Sequence, residues 1–146
     1  MKKQNFVGFN IRIYAICIVN NKLLTLKEPF AGKLITKLPG GGLEFGEGTA
    51  ACLKREFKEE LNLEIKIDDA FYIQEDFVES LAKDEKQLIM LYFKTTILDI
   101  ENLKILDTNI QQINWVGLNE SNPFSLPVDK IVFTKLQDQL KNHTFV

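Results

Sequence analysis

The chain has 146 residues, of which 45% are hydrophobic and 26% charged, so its composition excludes a disordered or fibrous protein and favours one globular domain over residues 1–146. Its formal net charge of -2 gives no general attraction to a polyanion, so nucleic acid is not an expected partner. The opening MKKQNF lacks the apolar core of a signal peptide, and no apolar run approaches the ~20 residues of a membrane span. We therefore expect a cytoplasmic protein that does not bind a membrane.

The first part of the chain alternates strand-forming runs with turn residues. Residues 9–19 and 22–26 are rich in β-branched and aromatic side chains, and Asn20 and Asn21 between them tolerate the positive φ of a tight turn. These runs predict a hairpin. Residues 34–38 predict a further short strand, which ends before a proline and a run of glycines.

A helix is predicted immediately after the glycine run. Thr49 is expected to be its N-cap. Asn62 is expected to close the helix, because asparagine is the non-glycine residue that most readily takes the left-handed conformation. Between them, apolar residues recur at three- and four-residue spacing and form one stripe: Ala50, Leu53, Phe57 and Leu61.

The second part of the chain predicts three more strands and a closing helix. Residues 70–78 and 87–98 are rich in aromatic and β-branched side chains, and the polar stretch 79–86 between them predicts a second hairpin. Residues 110–116 predict one more strand, and residues 126–140 predict a helix. Because strands and helices interleave without strict alternation, we expect an α+β fold with a mixed β-sheet between helices, in an α/β/α sandwich.

Three glutamates share one edge of the first predicted helix. Glu56, Glu59 and Glu60 fall within an arc of roughly 100°, beside the apolar stripe. Like charges at this spacing repel, and a bound cation removes the repulsion. Carboxylates suit Mg²⁺ or Mn²⁺, and Mg²⁺ usually takes further oxygens from water and a substrate phosphate. The cluster therefore indicates a metal site for a phosphate substrate, although a solvated acidic helix carrying Lys54 and Lys58 has a similar composition.

The segment before the helix offers groups that complement this cluster. Glu44 and Glu47 add two carboxylates. Arg55 can hold a carboxylate with two parallel hydrogen bonds, and Glu47 is its expected partner. Backbone without side chains can approach a ligand closely, so we expect substrate contacts from Glu44 and from three consecutive glycines: Gly40, Gly41 and Gly42.

The spacing of these residues resembles the Nudix box. Gly41 is followed after five residues by Glu47, and after seven more by the run REFKEELNL that begins at Arg55. Over residues 41–63 the pattern is similar to that of the Nudix hydrolase family. One position differs: Asn62 stands where the family has glycine, and every charged position is intact.

The resemblance implies a Mg²⁺-dependent hydrolase, with Mn²⁺ as an alternative ion. Glu56, Glu59 and Glu60 would bind the metal, one of them would also position the attacking water, and Glu47 would pair with Arg55 or assist the metal ligands. The implied reaction is attack of a metal-activated water on phosphorus, which cleaves a phosphoanhydride bond in a nucleoside diphosphate linked to another moiety. A nucleoside triphosphate and a sugar nucleotide are equally admissible substrates, because the residues of the box do not determine which moiety is linked to the nucleoside diphosphate.

Several alternatives stay open. The same fold could serve as a non-catalytic nucleotide sensor, and a structural interaction domain would require the clustered charge to be incidental. Outside the box, Phe30 and Trp115 are interpreted as core residues and Lys37 as a solvated lysine, although each residue type could contact a nucleotide. Exposed strand edges are compatible with a homodimer.

Overall fold

A computed structural model describes the backbone of residues 5–143 and the side chains of residues 5–142. The first four residues of the MKKQNF segment lie outside this range. Among the described residues, no helix combines the length and the apolar character that crossing a bilayer requires.

Eight strands and two helices follow one another along the described chain. The first half contains five strands and a helix: β1 (Gly8–Ile16), β2 (Ile18–Val19), β3 (Lys22–Phe30), β4 (Lys33–Lys37), β5 (Gly40–Gly42) and α1 (Thr49–Leu61). The second half contains three strands and the closing helix: β6 (Ile65–Ile73), β7 (Lys86–Ile97), β8 (Gln112–Gly117) and α2 (Pro127–His143).

The strands form two sheets. The first has the order β5-β1-β7-β6, in which β1 and β7 are parallel and the other pairs are antiparallel. The second is built around β3, which pairs with β2, β4 and β8, all antiparallel. The predicted mixed sheet is therefore confirmed. A homodimer through an outer strand such as β5 or β6 stays a prediction, which light scattering can test.

Alternate side chains of β1 divide the core into two layers. Ile13 and Ala15, with Cys17 just after the strand, pack with the apolar stripe of α1, whereas Tyr14 and Ile16 pack with the apolar residues of α2. This alternation follows from the period of two in a strand. Because one helix covers each face, the predicted α/β/α sandwich is confirmed.

The first helix ends as predicted but begins differently. Asn62 closes it in the left-handed conformation, with φ 57° and ψ 37°. The predicted N-cap was wrong, because Thr49 is already helical and Gly48 is the N-cap, in an extended conformation. Gly48 accepts a hydrogen bond of 3.0 Å from the backbone N–H of Cys52, which completes the first turn without a side-chain cap.

Two strand predictions need correction. The glycine run, which was not among the predicted strands, forms the edge strand β5, because its backbone pairs with residues 12–14 of β1. The strand predicted over residues 70–78 begins five residues earlier, as β6, and ends at Ile73. Ile65 and Ile67 face the α1 core at a spacing of two, but the aspartates that follow them obscure this alternation in the sequence.

Candidate active site

One guanidinium joins the acidic loop to the acidic helix. Arg55 on α1 donates from Nε to Glu47 Oε2 at 3.0 Å and from Nη2 to Glu47 Oε1 at 2.8 Å. This two-point contact is the geometry for which a guanidinium and a carboxylate are matched. The hydrogen bonds from Arg55 lower the pKa of Glu47 to about 2, and they raise the pKa of Arg55 itself. Both groups are therefore charged throughout the physiological range.

The same arginine also contacts α1 and the backbone of the loop. Its Nη1 donates to Glu56 Oε1 at 2.9 Å and to Glu59 Oε2 at 3.3 Å, and its Nη2 donates to the carbonyl oxygen of Gly42 at 3.1 Å. Glu44 lies at the rim, with its carboxylate 3.7 Å from Nη1 and 67% of its side chain exposed. The structure thus brings both loop carboxylates and two of the three helix glutamates, Glu56 and Glu59, around one cation.

Two of the glycines allow close packing at this point. A Cβ atom at Gly41 would lie 2.4 Å from the carboxyl carbon of Glu56, and one at Gly40 would lie 2.1 Å from the carbonyl oxygen of Ile13. Real Cβ contacts are not this short, so any side chain at Gly41 would displace the Glu56 carboxylate. Close packing therefore accounts for glycine at positions 40 and 41. The predicted contact of the glycines with substrate stays a prediction.

Glu56 and Glu60 form a pair of carboxylates that resists double ionisation. Burial, and then the neighbouring charge of Glu56, raise the pKa of Glu60 to about 8. Only 12% of the Glu56 side chain is exposed. Two poorly solvated carboxylates with hard oxygen atoms fit a divalent cation, since the ion would neutralise the charge that now disfavours ionisation.

Glu59 is placed differently from these two residues. It is 59% exposed and turned towards Arg55. Accordingly, within the described part of the chain, no three carboxylate, thiol or imidazole groups are already arranged around one cation position. Glu59 would have to leave Arg55 to join Glu56 and Glu60 around an ion.

A cavity of about 250 Å³ lies on the α2 side of the first sheet, and Arg12 in its lining is close enough to Glu56 and Glu60 for their charges to raise its pKa. Its floor consists of alternate residues of β1 and of β7: Asn10, Arg12, Tyr14, Leu88 and Met90. Its walls come from the β3–β4 hairpin, from residues 78–82 and from the start of α2, residues 126–129. The lining is largely apolar and carries a few charged groups, as is usual for a small-molecule pocket.

Two residues that the sequence analysis placed elsewhere line this cavity. Phe30 was interpreted as a core residue, but it lies in the pocket wall at the end of β3. Lys37 was interpreted as a solvated lysine, but only 17% of its side chain is exposed, and its Nζ lies 3.4 Å from Glu28. Trp115, in contrast, packs against the α1 core as predicted.

Arg12 and Tyr14 form a contact in the cavity floor. Arg12 Nε donates to the hydroxyl oxygen of Tyr14 at 2.6 Å, and the guanidinium carbon lies 5.6 Å from the centroid of the Tyr14 ring. Burial opposes ionisation of Arg12, but Tyr14 and the charges of Glu56 and Glu60 outweigh it and raise its pKa. The cavity floor therefore carries a permanent positive charge close to the acidic cluster.

Asp129 is a buried carboxylate that sequence reasoning missed. It is 2% exposed, it lines the cavity, and its Oδ1 accepts a hydrogen bond of 2.6 Å from the hydroxyl of Tyr92. Burial raises its pKa to about 6 despite this hydrogen bond. One sequence signal could have found it: Asp129 lies three and four residues before the buried Val132 and Phe133, on the apolar face of α2.

Asp129→Asn is expected to stabilise the protein at neutral pH more than at acidic pH. Because the folded-state pKa of Asp129 is raised from 3.8 to about 6, folding binds a proton, and stability is lost as pH rises through about 6. Asparagine keeps the acceptor for Tyr92 without the charge. The measurement is the melting temperature of variant and wild type at pH 4 and pH 7.5, with exposed Asp138→Asn as control. A difference that does not change with pH would contradict this account of Asp129.

Comparisons with known proteins agree with this architecture. The sequence profile of a family described as NUDIX domain matches residues 9–137. A search of curated proteins finds no match.

The solved structures that resemble the chain include three from different organisms. A Nudix hydrolase from Nitrosomonas europaea is 19% identical, with a TM-score of 0.72 and 89% of each chain covered. A MutT protein from Methanosarcina mazei Go1 is 20% identical, with a TM-score of 0.73 and coverage of 92% of this chain and 96% of that one. A MutT Nudix hydrolase from Burkholderia pseudomallei is 13% identical, with a TM-score of 0.73 and coverage of 88% and 98%. At these identities, the likeness shows the fold.

Proposed function

Because the chain belongs to the Nudix hydrolase family, we propose that it hydrolyses a phosphoanhydride bond in a nucleoside diphosphate linked to another moiety. The observation that carries the proposal is the position of Arg55, which holds Glu47 of the loop and Glu56 of the helix beside a pocket of ligand size. A charge cluster that is only a solvated surface has no reason to be organised by one shared guanidinium. Such a surface also does not require a glycine in close contact with a carboxylate, as Gly41 is with Glu56.

The residues of the site have different roles in the proposed reaction. Glu56, Glu60 and Glu59 would hold Mg²⁺ or Mn²⁺, which when bound polarises phosphoryl oxygens and lowers the pKa of a coordinated water. Arg55 holds the loop through Glu47 and so fixes the position of α1 relative to the edge strand β5. Glu59, the most exposed of the three helix glutamates, is the group that we assign to accept a proton from the attacking water.

The cavity beside the cluster would hold the nucleoside part of the substrate. Its volume of about 250 Å³ lies just below the range of roughly 300–1,000 Å³ that is usual for ligand pockets. A cavity of this size favours a substrate with one nucleoside-sized group, such as a nucleoside triphosphate or a sugar nucleotide, over one with two bulky groups. The buried carboxylate of Asp129 and the charged groups of the walls offer polar contacts to such a group.

The proposal is tested with a nucleotide panel and a matched inactive control. Wild type and Glu59→Gln are incubated with Mg²⁺ or Mn²⁺ and with nucleoside triphosphates, sugar nucleotides and dinucleoside polyphosphates, and the products are separated by chromatography. We expect at least one compound to be cleaved by wild type well above the control. If no compound is cleaved above the Glu59→Gln background, the proposed activity is wrong.

A nucleotide sensor is the second candidate, and one observation favours it. Within the described residues no three ligand side chains are pre-arranged for an ion, and Arg55 satisfies Glu47, Glu56 and Glu59 without one. Calorimetry separates the candidates, since a sensor would bind a nucleotide of the panel without any turnover.

A further inference from the structure

We propose that Arg12 binds the substrate phosphate that lies nearest the cavity, and that this contact makes Arg12 a specificity-determining residue for diphosphate compounds. The inference rests on the proposed function, and it adds a residue outside the motif of glycines and glutamates. Three observations carry it: the unused donors of the guanidinium, its burial, and its position relative to Gly42.

The Arg12 guanidinium has donors that the described residues do not use. Of its five N–H groups, the one at Nε donates to Tyr14. No carboxylate of the described chain lies within salt-bridge distance of Arg12, whereas Lys37, the other cation of the cavity, is paired with Glu28. No nitrogen or oxygen atom of a described side chain is both buried and unbonded. The Nη groups of Arg12 therefore keep access to solvent, in a residue that lines the cavity.

The described surroundings leave the Arg12 cation without a directly contacting anion. Arg12 is partly buried in the floor, between Tyr14 and the apolar residues Leu88 and Met90. Charged groups in such places are normally paired, since removal from water is expensive. A planar guanidinium matches two oxygen atoms of a phosphate with two parallel hydrogen bonds. The Arg12 guanidinium thus fits a phosphoryl group better than it fits a neutral base or sugar, which the apolar part of the cavity would hold.

Gly42 places Arg12 between the cavity and the acidic cluster. Arg12 is paired with Gly42 across β1 and β5, and a Cβ atom at Gly42 would lie 3.7 Å from Arg12 Nη1. The carbonyl oxygen of the same glycine accepts a hydrogen bond from Arg55. Gly42 thus has the cavity arginine on one side and the arginine of the acidic cluster on the other. A diphosphate that runs from the cavity to Glu56 has to pass Arg12.

The test compares Arg12→Gln with Lys58→Gln, which also removes one positive charge but lies on the exposed face of α1. Binding of inorganic pyrophosphate is measured by calorimetry in EDTA, so that contacts through a metal do not contribute. We expect Arg12→Gln to bind about tenfold more weakly than wild type, because hydrogen bonds to a charged group are lost. Lys58→Gln should bind as wild type does. Equal affinity in the two variants, or no binding by wild type, overturns the inference.

Kinetics with any compound of the panel that wild type cleaves give a second readout. Loss of a contact that is made equally in the ground and transition states raises KM and leaves kcat unchanged. We expect Arg12→Gln to raise KM about tenfold with kcat nearly constant, and Arg12→Lys, which keeps the charge without the planar fork, to raise KM less. Unchanged KM in Arg12→Gln overturns the inference. If Arg12→Gln does not fold, Arg12→Lys decides the question alone: wild-type KM and pyrophosphate affinity in that variant overturn it.

The two proposals fail in different ways. Cleavage of a panel compound with wild-type pyrophosphate affinity in Arg12→Gln would overturn the role of Arg12 and leave the hydrolase. Weakened pyrophosphate binding in Arg12→Gln without cleavage of any compound would overturn the hydrolase and leave a phosphate site.

Discussion

Glu56→Gln and Glu60→Gln are each expected to lower turnover by roughly two orders of magnitude or more, comparable to the loss of a group that stabilises charge in a transition state. Glutamine keeps the size of the side chain and removes the charge that a divalent cation requires. The buried stripe of Leu53, Phe57 and Leu61 is untouched, so both variants should fold. The measurement is the steady-state rate with a cleaved compound of the panel. The control is Glu64→Gln, an exposed glutamate just beyond α1.

The stability of Glu60→Gln should change in the opposite direction to its activity. Burial and the charge of Glu56 raise the Glu60 pKa to about 8, so in wild type stability is lost as pH rises from the ordinary carboxyl range through about 8. The metal-free variant should therefore melt at a higher temperature than wild type, most clearly above pH 8. Added Mg²⁺ should stabilise wild type more than either variant, because only a folded site with both charges binds the ion tightly. Near-wild-type turnover in both variants would exclude the proposed metal site.

Arg55→Lys is expected to lose much of the activity, and Arg55→Ala to lose more. Lysine keeps a positive charge but cannot hold Glu47 through two parallel hydrogen bonds while also reaching Glu56 and the carbonyl oxygen of Gly42. The loop should then move relative to α1, and small displacements at a reacting centre are expensive. We expect turnover to fall by at least about tenfold in Arg55→Lys, by analogy with residues that orient metal ligands.

Metal affinity should change less than turnover in the Arg55 variants. Titration calorimetry with Mn²⁺, run beside steady-state rates, separates the two effects, and Lys54→Ala on the exposed side of the same helix is the control. If Mn²⁺ affinity falls as much as turnover does, Arg55 is needed to keep the metal site itself intact. Its assignment to positioning would then be wrong.

The helix that carries the site was predictable because its signals are local. The apolar stripe from Leu53 to Leu61 fixes the buried face, and Asn62 marks the end through its own backbone preference. Once the buried face is fixed, the period of the helix places the glutamates on one edge. The contact between Arg55 and Glu47 was predictable from chemistry, because a guanidinium matches a carboxylate with two parallel hydrogen bonds and Glu47 lies in the loop just before the helix.

The pocket was not predictable in the same way, because it is assembled from distant segments. Arg12 is a charged side chain in a largely apolar strand, and only the parallel pairing of β1 with β7 shows that it lies in a cavity floor. Phe30 looked like a core residue because an aromatic side chain in a pocket wall and one in a core have the same sequence signature. The glycines of β5 were misread because hydrogen bonds to β1, and no local preference, make them a strand.

The parallel pairing of β1 with β7 also governs when the site can form during folding. Arg12 lies opposite Met90, far along the chain, so β1 cannot take its central place in the sheet until β7 has been synthesised. The glycine strand β5 pairs with β1 at Ile13 and its neighbours, so the pairing that holds β5 in place is delayed as well. Pairings between distant segments are slow, because the entropy of closing the intervening loop is lost before their contacts form. During translation, the acidic helix should therefore emerge long before the surface that orients it.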